Sequence, residues 1–307
     1  MKVLIAGATG FVGNELVKNL KEKGHEIVFL TRHIDPARFR VPIHCEARTW
    51  DPISKSLPTS SLKGVDVVIN LAGEGIANGR WSNNRKQEII QSRVLSTRRL
   101  VNAMTCMDKK PLVFLSASAI GFYGNRADEI LHEEKCKGYG FLSDVCQSWE
   151  DEALKAKDHG IRTAIYRIGM VLGHDGGALS KMLPPFKLGA GGILGNGSQW
   201  VSWIHVNDLS NMLIHAIEKA SVNGIYNAVS PNPVINREFT KILGKVIKRP
   251  TIFPIPHFVL KIALGELSDL LLGSQMVIAQ KIIDTGFEFQ YPQLEEALRE
   301  VCGHSPH

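Results

Sequence analysis

The amino-terminal stretch MKVLIAGATGFVGNELVKNLKEKGHEIVFLTRH (residues 1–33) decides the fold. Its apolar run at 2–6 predicts a buried strand, NELVKNLKEKG (residues 14–24) predicts a helix, and EIVFLT (residues 26–31) predicts a second strand. Three glycines, Gly7, Gly10 and Gly13, separate the first strand from the helix. A strand, a glycine-rich turn and a helix in this order indicate the first βα unit of a parallel sheet.

Each glycine in this turn has a distinct role in a dinucleotide site. Gly7 allows a tight turn, Gly10 lets the backbone approach a pyrophosphate, and Gly13 lets the helix pack closely on the strand. The helix start offers backbone N–H groups to the anion. The sequence therefore predicts dinucleotide binding, with a mere tight βα turn as the alternative. The predicted contacts here are Gly7, Thr9, Gly10, Phe11, Val12 and Gly13.

The end of the second strand indicates which dinucleotide is bound. An NAD site carries an acid about 20 residues beyond the glycines, to accept a hydrogen bond from the ribose 2′-OH. Here the strand ends in Thr31, Arg32 and His33. A guanidinium pairs with a 2′-phosphate, which a carboxylate would repel. The pattern favours NADP(H) over NAD(H); the alternative is a solvated loop arginine at position 32.

Further cofactor contacts are predicted at the ends of later strands. Leu71, Ala72 and Gly73 follow the run DVVIN. At Ala72 and Gly73 a bulky side chain would block the adenine ribose and phosphates, so small residues there keep the groove open. Asp51 is a candidate acceptor for the adenine amine. Gly73 is equally explained as a turn glycine, and Asp51, which precedes a proline, as a turn starter.

Strands and helices alternate through the first half of the chain, which predicts an α/β fold. We expect a Rossmann-like, doubly wound parallel sheet with a smaller C-terminal substrate lobe. Residues 1–170 form the NADP-binding domain, to which 205–230 return, and 171–204 with 231–307 form the smaller lobe. Residues 85–104 are predicted as one long helix and 163–173 as one strand.

Composition excludes several classes of protein. The formal net charge is +6, but the Lys and Arg residues are scattered, so we expect no nucleic-acid partner. Five cysteines without a C-x-x-C pair predict reduced thiols, a cytoplasmic location and no metal. The most hydrophobic late segment, residues 258–273, is interrupted by charged residues, so we expect no membrane span. The oligomeric state stays open.

Several landmarks resemble the extended short-chain dehydrogenase/reductase superfamily: GATGFVG, INLAG, LSASAIGFYG and WIHVNDL. Within it the chain is similar to the atypical, epimerase-like subfamily. The resemblance implies acid–base catalysis by a Tyr with a Lys four residues later, which lowers the Tyr pKa. This sequence lacks that pair. With Glu150 taken as the helix acid that trails the motif, the two positions fall on Leu142 and Cys146.

Candidates for the remaining site follow from the same resemblance. Ser118 matches the hydroxyl that steadies the substrate oxygen, and Tyr123 is the first substitute proton donor; a strand-end serine and a structural tyrosine are the alternatives. An indole beside cations suits a planar or anionic ligand. Predicted substrate contacts, with surface or packed-core roles as the alternative, are Trp81, Arg85, Lys86, Gln199, Trp200, Trp203 and His205.

Two functions of different classes remain open. The first is an NADP(H)-dependent oxidoreductase or epimerase that acts on a small or nucleotide-linked carbonyl or alcohol. The second is a redox-inactive NADP(H)-binding regulator or sensor, which the missing Tyr and Lys favour. The glycine turn supports both, while Ser118 and the aromatic side chains favour the first.

Overall fold

Seven parallel strands form the central sheet of the computed structural model, which describes residues 1–32, 45–174 and 176–303. The strands are β1 Lys2–Ala6, β2 Glu26–Thr31, β3 Glu46–Thr49, β4 Val67–Asn70, β5 Val113–Ala119, β7 Arg162–Ile168 and β11 Gly224–Ala228. Their spatial order is β3-β2-β1-β4-β5-β7-β11. The order reverses between β1 and β4, so the doubly wound Rossmann-like fold is confirmed.

Helices cover both faces of this sheet. α1 (Phe11–Glu22) and α6 (Val206–Glu218) pack on one face, and α3 (Ser96–Thr105) and α4 (Phe141–Leu154) pack on the other. In β1, Val3 and Ile5 belong to the first core and Leu4 and Ala6 to the second. Because both faces are buried, the strand is apolar along its whole length.

The rest of the described chain forms smaller elements. Three pairs of short strands lie outside the sheet: β6 Ile130–Leu131 with β13 Met276–Val277, β8 Met170–Leu172 with β10 Trp203–His205, and β9 Trp200–Val201 with β12 Val234–Ile235. The remaining α-helices are α2 Asn83–Ile90, α5 Gly177–Lys187, α7 Asn236–Val246, α8 His257–Leu264, α9 Ser268–Leu272, α10 Gln280–Ile283 and α11 Leu294–Gly303. A third core joins α5, α7 and α11, and the lobe boundaries stay a prediction.

Two sequence-based element assignments need correction. The helix over residues 85–104 is interrupted by a π-helical turn at Gln91–Leu95, between α2 and α3. The run 163–173 is two strands, because β7 pairs in the main sheet and β8 pairs with β10. The chain changes sheet at Gly169, where a Cβ atom would lie 2.6 Å from the Ser202 carbonyl oxygen.

No helix in the described ranges is long and apolar enough to cross a membrane.

We predict that Gly169→Ala destabilises the fold. The added Cβ would lie 2.6 Å from the Ser202 oxygen and 2.8 Å from Cγ1 of Val229. Overpacking of this kind costs about 1–3 kcal/mol. Denaturant unfolding measures the loss, with Gly303→Ala as the control because nothing lies within 4 Å of a Cβ there. Equal stability of the two variants would contradict the tight crossing at Gly169.

Candidate functional site

The glycine turn joins the ends of the two central strands. Gly7 has φ of +88°, and a Cβ there would lie 2.7 Å from the carbonyl carbon and oxygen of Leu71, which follows β4. A Cβ at Gly13 would lie 2.2 Å from the Gly7 carbonyl oxygen. Both positions therefore require glycine, one for its backbone conformation and both for close approach.

The start of α1 forms an anion-binding geometry beside this turn. The Asn14 N–H donates to the Gly10 carbonyl at 2.9 Å, so the N–H groups of Phe11, Val12 and Gly13 precede the helical hydrogen-bond ladder. The first turn of α1, which lies wholly within the described residues, carries no acidic side chain. Both features suit a phosphate at the helix N-terminus.

Arg32 lies at the end of β2 and pairs with Glu74, a residue that sequence reasoning missed. Its Nη1 lies 3.2 Å from Oε1 of Glu74, and 59% of its side chain is exposed. Nη2 of Arg85 lies 3.8 Å from the other Glu74 oxygen and donates to the Gly75 carbonyl at 2.6 Å. Arg85, which the sequence predicted as a substrate contact, therefore shares the Glu74 carboxylate with Arg32. His33 lies outside the described residues.

The other predicted cofactor contacts lie at neighbouring strand ends. Thr31 ends β2, and its carbonyl accepts from the N–H of Trp50 at 2.8 Å. Asp51 forms a turn, because its carboxylate accepts from Ile53 N–H at 3.0 Å and from the Ser54 hydroxyl at 2.8 Å. The Ile53 hydrogen bond is the main reason that the pKa of Asp51 is lowered.

Hydrogen bonds to β1 and to the last residue of β4 hold the segment after β4. The N–H of Leu71 donates to the Ala6 carbonyl at 2.8 Å, which ties β4 to β1. Ala72 N–H donates to Oδ1 of Asn70 at 3.3 Å. A Cβ at Gly73 would lie 3.1 Å from the guanidinium carbon of Arg93, so a small residue here leaves that side chain in place.

A buried polar network engages both predicted catalytic residues. The Ser118 hydroxyl donates to Glu150 Oε1 at 2.6 Å, and Arg167 donates to the two Glu150 oxygens at 2.9 and 2.8 Å. Arg167 Nη1 donates to the Tyr123 hydroxyl at 3.0 Å, which donates in turn to Asn227 Oδ1 at 2.6 Å. The network joins β5, α4, β7 and β11.

This network leaves the two hydroxyls poorly suited to proton transfer. Tyr123 is 0% exposed, and burial raises its pKa to about 12. Ser118 is also buried, and its hydroxyl donates to the Glu150 carboxylate. Leu142, at the position predicted for the family's Tyr, has no titratable group. Burial raises the pKa of the thiol of Cys146, at the position predicted for the family's Lys, to about 12. Cys146 is therefore neutral.

Two cavities open beside this region. The first, about 540 Å³, includes Trp81, Gly121, Phe141, Leu142 and Asp269 in its lining. The second, about 640 Å³, is lined by Asn125, Ala127, Asp128, Gly195, Asn196, Ser198, Gln199, Pro256, His257, Leu272 and Ser274. Among the described residues that line either cavity, none is Lys or Arg.

Aromatic packing shapes the wall of the first cavity. The rings of Trp81 and Phe141 meet edge to face, with centroids 5.2 Å apart. Lys86 lies 5.3 Å from the Phe141 centroid and pairs with Glu266, another lining residue, at 2.6 Å. Trp81, a predicted substrate contact, thus lines the first cavity. Lys86 contacts two of the lining residues but is not itself in the described lining.

The predicted substrate contacts of the later segment separate into two groups. Gln199 lines the second cavity, and Trp200 Nε1 donates at 2.9 Å to Asp128 in the same lining. Trp203 is 0% exposed within the third core, so we assign it to packing. His205 is buried against Glu300, with 2.9 Å between Nε2 and Oε2, and we likewise exclude it from the cavity wall.

Comparison with known proteins identifies the family. Residues 3–228 match the NAD dependent epimerase/dehydratase family, and residues 255–301 match a domain of unknown function, DUF1731. The chain belongs to the NAD dependent epimerase/dehydratase family. The resemblance to extended short-chain dehydrogenases/reductases is thereby confirmed.

Relatives that match over most of their length carry the name epimerase family protein. The chain is 40% identical to the epimerase family protein SDR39U1 homolog, chloroplastic, of Arabidopsis thaliana, over 98% of this chain and 86% of that protein. It is 37% identical to the epimerase family protein YfhF of Bacillus subtilis, over 98% of each chain. Human epimerase family protein SDR39U1, crystallised with NADPH, superposes with a TM-score of 0.90 at 32% identity, covering 99% of this chain and 100% of that one.

In the described ranges, no group of three or more His, Cys, Asp or Glu side chains is arranged to hold a metal ion.

We predict that Glu150→Ala strongly destabilises the protein. The Glu150 and Arg167 side chains are 2% and 3% exposed, so the substitution leaves a buried, uncompensated guanidinium. Such a loss costs about 3–5 kcal/mol. Glu295→Ala is the control, because its pairs with Lys245 and Arg299 are on the surface, where water screens them. Similar unfolding free energies for both variants would contradict a structural role for the network.

Proposed function

We propose that this chain binds NADP(H), and the observation that carries the proposal is Arg32 at the end of β2 beside the Gly7–Gly13 turn. The N–H groups at the start of α1 would hold the pyrophosphate, and Gly10 would allow its close approach. The NADPH in the crystal structure of human SDR39U1 supports this assignment.

Arg32 and Arg85 would hold the 2′-phosphate together. Both guanidinium groups lie near Glu74, at 3.2 and 3.8 Å. An exposed pair such as Arg32–Glu74 is worth only about 0–1 kcal/mol, so a doubly charged phosphate competes well for the same arginine.

We predict that Arg32→Ala weakens NADPH binding and leaves NADH binding unchanged. A charge-assisted contact to the 2′-phosphate corresponds to about ten- to a hundredfold in affinity. Calorimetry with both dinucleotides measures the difference. Arg299→Ala serves as the control, because this exposed arginine pairs with Glu295 on α11. Equal affinity of the wild type for NADPH and NADH would refute the 2′-phosphate assignment.

We propose that the chain is an oxidoreductase that acts on a small carbonyl compound in the first cavity. When bound, NADPH supplies a hydride. Trp81 and Phe141 would exclude water and bind an apolar part of the substrate. The exposed carboxylates of Glu266 and Asp269 and the lack of Lys or Arg in the described lining disfavour a nucleoside diphosphate.

A redox-inactive NADP(H)-binding protein is the second candidate. Leu142 and the neutral Cys146 favour it, because neither organises a proton beside the substrate oxygen. The catalytic roles of Ser118 and Tyr123 stay predictions, and the hydrogen bonds of both hydroxyls favour a structural role. Turnover distinguishes the two candidates.

We predict that Leu142→Tyr accelerates NADPH-dependent reduction of small aldehydes and ketones. A placed general acid contributes about 10²–10⁴-fold, so the wild type should be slow and the variant at least tenfold faster. Loss of reduced-nicotinamide absorbance measures the rate. Leu188→Tyr is the control, because Leu188 is 85% exposed. If neither wild type nor Leu142→Tyr oxidises bound NADPH, the redox-inactive candidate stands.

A further inference from the structure

The segment between β4 and α2 that covers residues 74–81 joins the two parts of the candidate site. Its first residue, Glu74, lies 3.2 Å from Arg32, and its last residue, Trp81, lines the first cavity. None of its residues is buried. This segment, the 74–81 loop, is therefore held by something other than the hydrophobic core.

Cationic side chains hold the 74–81 loop against two helices. Nζ of Lys181, on α5, donates to the Ala77 carbonyl at 2.6 Å and to Oδ1 of Asn78 at 2.9 Å. Nε of Arg80 in the loop donates to the carbonyl of Ala263 on α8 at 3.1 Å. These hydrogen bonds are exposed, so water competes for donor and acceptor alike, and the contacts can open without unfolding the core.

α5 is fixed more firmly than the loop that it contacts. Leu179 and Phe186 of α5 are buried in the third core, whereas the loop contributes no buried side chain. Few buried apolar contacts mark the parts of a protein that open at low cost. When the Lys181 hydrogen bonds break, the loop therefore moves and α5 stays in place.

The start of α5 packs against the turn that is proposed to bind the pyrophosphate. A Cβ at Gly173, Gly176 or Gly177 would lie 2.5, 2.7 or 2.9 Å from an atom of the Phe11 ring, so these glycines let the backbone close around that ring. Phe11 is the first residue of α1. Lys181 follows Gly177 by one helical turn, so a single turn of α5 connects Phe11 with the 74–81 loop.

These contacts place α5 across the dinucleotide crevice. In a sheet of this kind the crevice lies where the strand order reverses, here between the carboxyl ends of β1 and β4. α1 follows β1, the 74–81 loop follows β4, and α5 contacts both. The contact of Lys181 with the loop therefore closes a passage to the start of α1.

We propose that the 74–81 loop is a gate over the dinucleotide crevice and that the Lys181 hydrogen bonds hold it closed. The loop opens when these hydrogen bonds break, and they form again after the dinucleotide has entered or left. The contact joins two parts of the protein with and without the ligand, so it slows entry and exit alike and cancels from the affinity. This inference rests on the proposed NADP(H) binding and adds the control of its rate.

Stopped-flow fluorescence of the reduced nicotinamide measures NADPH binding and release on the full chain. Lys181→Met keeps a long side chain and removes its donors. It should raise the association and dissociation rate constants about fivefold each and change Kd less than about twofold. Loss of a cation that only attracted or bound NADPH would instead lower the association rate constant or raise the dissociation rate constant alone. Lys187→Met is the control, because Lys187 is an exposed lysine at the other end of α5.

A second variant and a measurement without ligand test the gate independently. Asn78→Ala removes one acceptor and keeps the charge of Lys181, and it should also raise both rate constants. Trypsin cleavage after Arg80 requires the loop to leave α5 and α8, so it should be about fivefold faster in Lys181→Met than in the wild type. Because Lys181 and Asn78 are exposed, both variants should unfold at the wild-type temperature.

The outcomes separate the gate from the binding site. Unchanged rate constants in Lys181→Met, or a higher Kd with an unchanged association rate constant, overturn the gate. Unchanged cleavage after Arg80 overturns it as well, because Lys181 then does not hold the loop. If the wild type binds neither NADPH nor NADH, the proposed function fails, while faster cleavage in Lys181→Met still supports the gate.

Discussion

The contact between Gly7, Gly13 and Leu71 is the constraint on which the site depends. It brings the ends of β1 and β4 and the start of α1 within atomic contact, and a single Cβ at either glycine would separate them. Apolar strands buried on both faces fix this meeting point in the core. The N–H groups at the start of α1 are therefore held in place by the packed core. The loops around them vary in polarity and exposure.

The Glu150–Arg167 pair shows how the polar interior of this chain differs from a proton-transfer site. Its members hold the hydroxyls of Ser118 and Tyr123 in fixed hydrogen bonds, with Arg167 3.4 Å from the Phe122 ring centroid. Burial raises the pKa of Tyr123, and the positive charge of Arg167 beside its hydroxyl only partly offsets that rise. The hydroxyl is therefore a poor acid because it is removed from water.

The sequence predicted the local parts of this structure, and it missed those that depend on distant partners. The glycine turn, the two strands on either side of it and Arg32 were predicted from the spacing of residues within positions 1–32. The Tyr123 hydroxyl bonds to Asn227, 104 residues later, and no periodicity reports such a partner. The apolar run at 163–173 indicates burial, but burial does not say which sheet a strand joins. β3 was missed because its sequence, EART, is polar and only half-buried.

Solvent exposure sets the role that Arg32 can play at the crevice. Arg32 is mostly exposed, so water screens its charge and Glu74 satisfies it at little cost until a phosphate arrives. A 2′-phosphate carries more charge than one carboxylate and offers several acceptor oxygens, so it can replace Glu74 with little loss. We therefore propose that this outer arginine selects the cofactor, and that the N–H groups at the start of α1 supply the pyrophosphate contact that any dinucleotide makes.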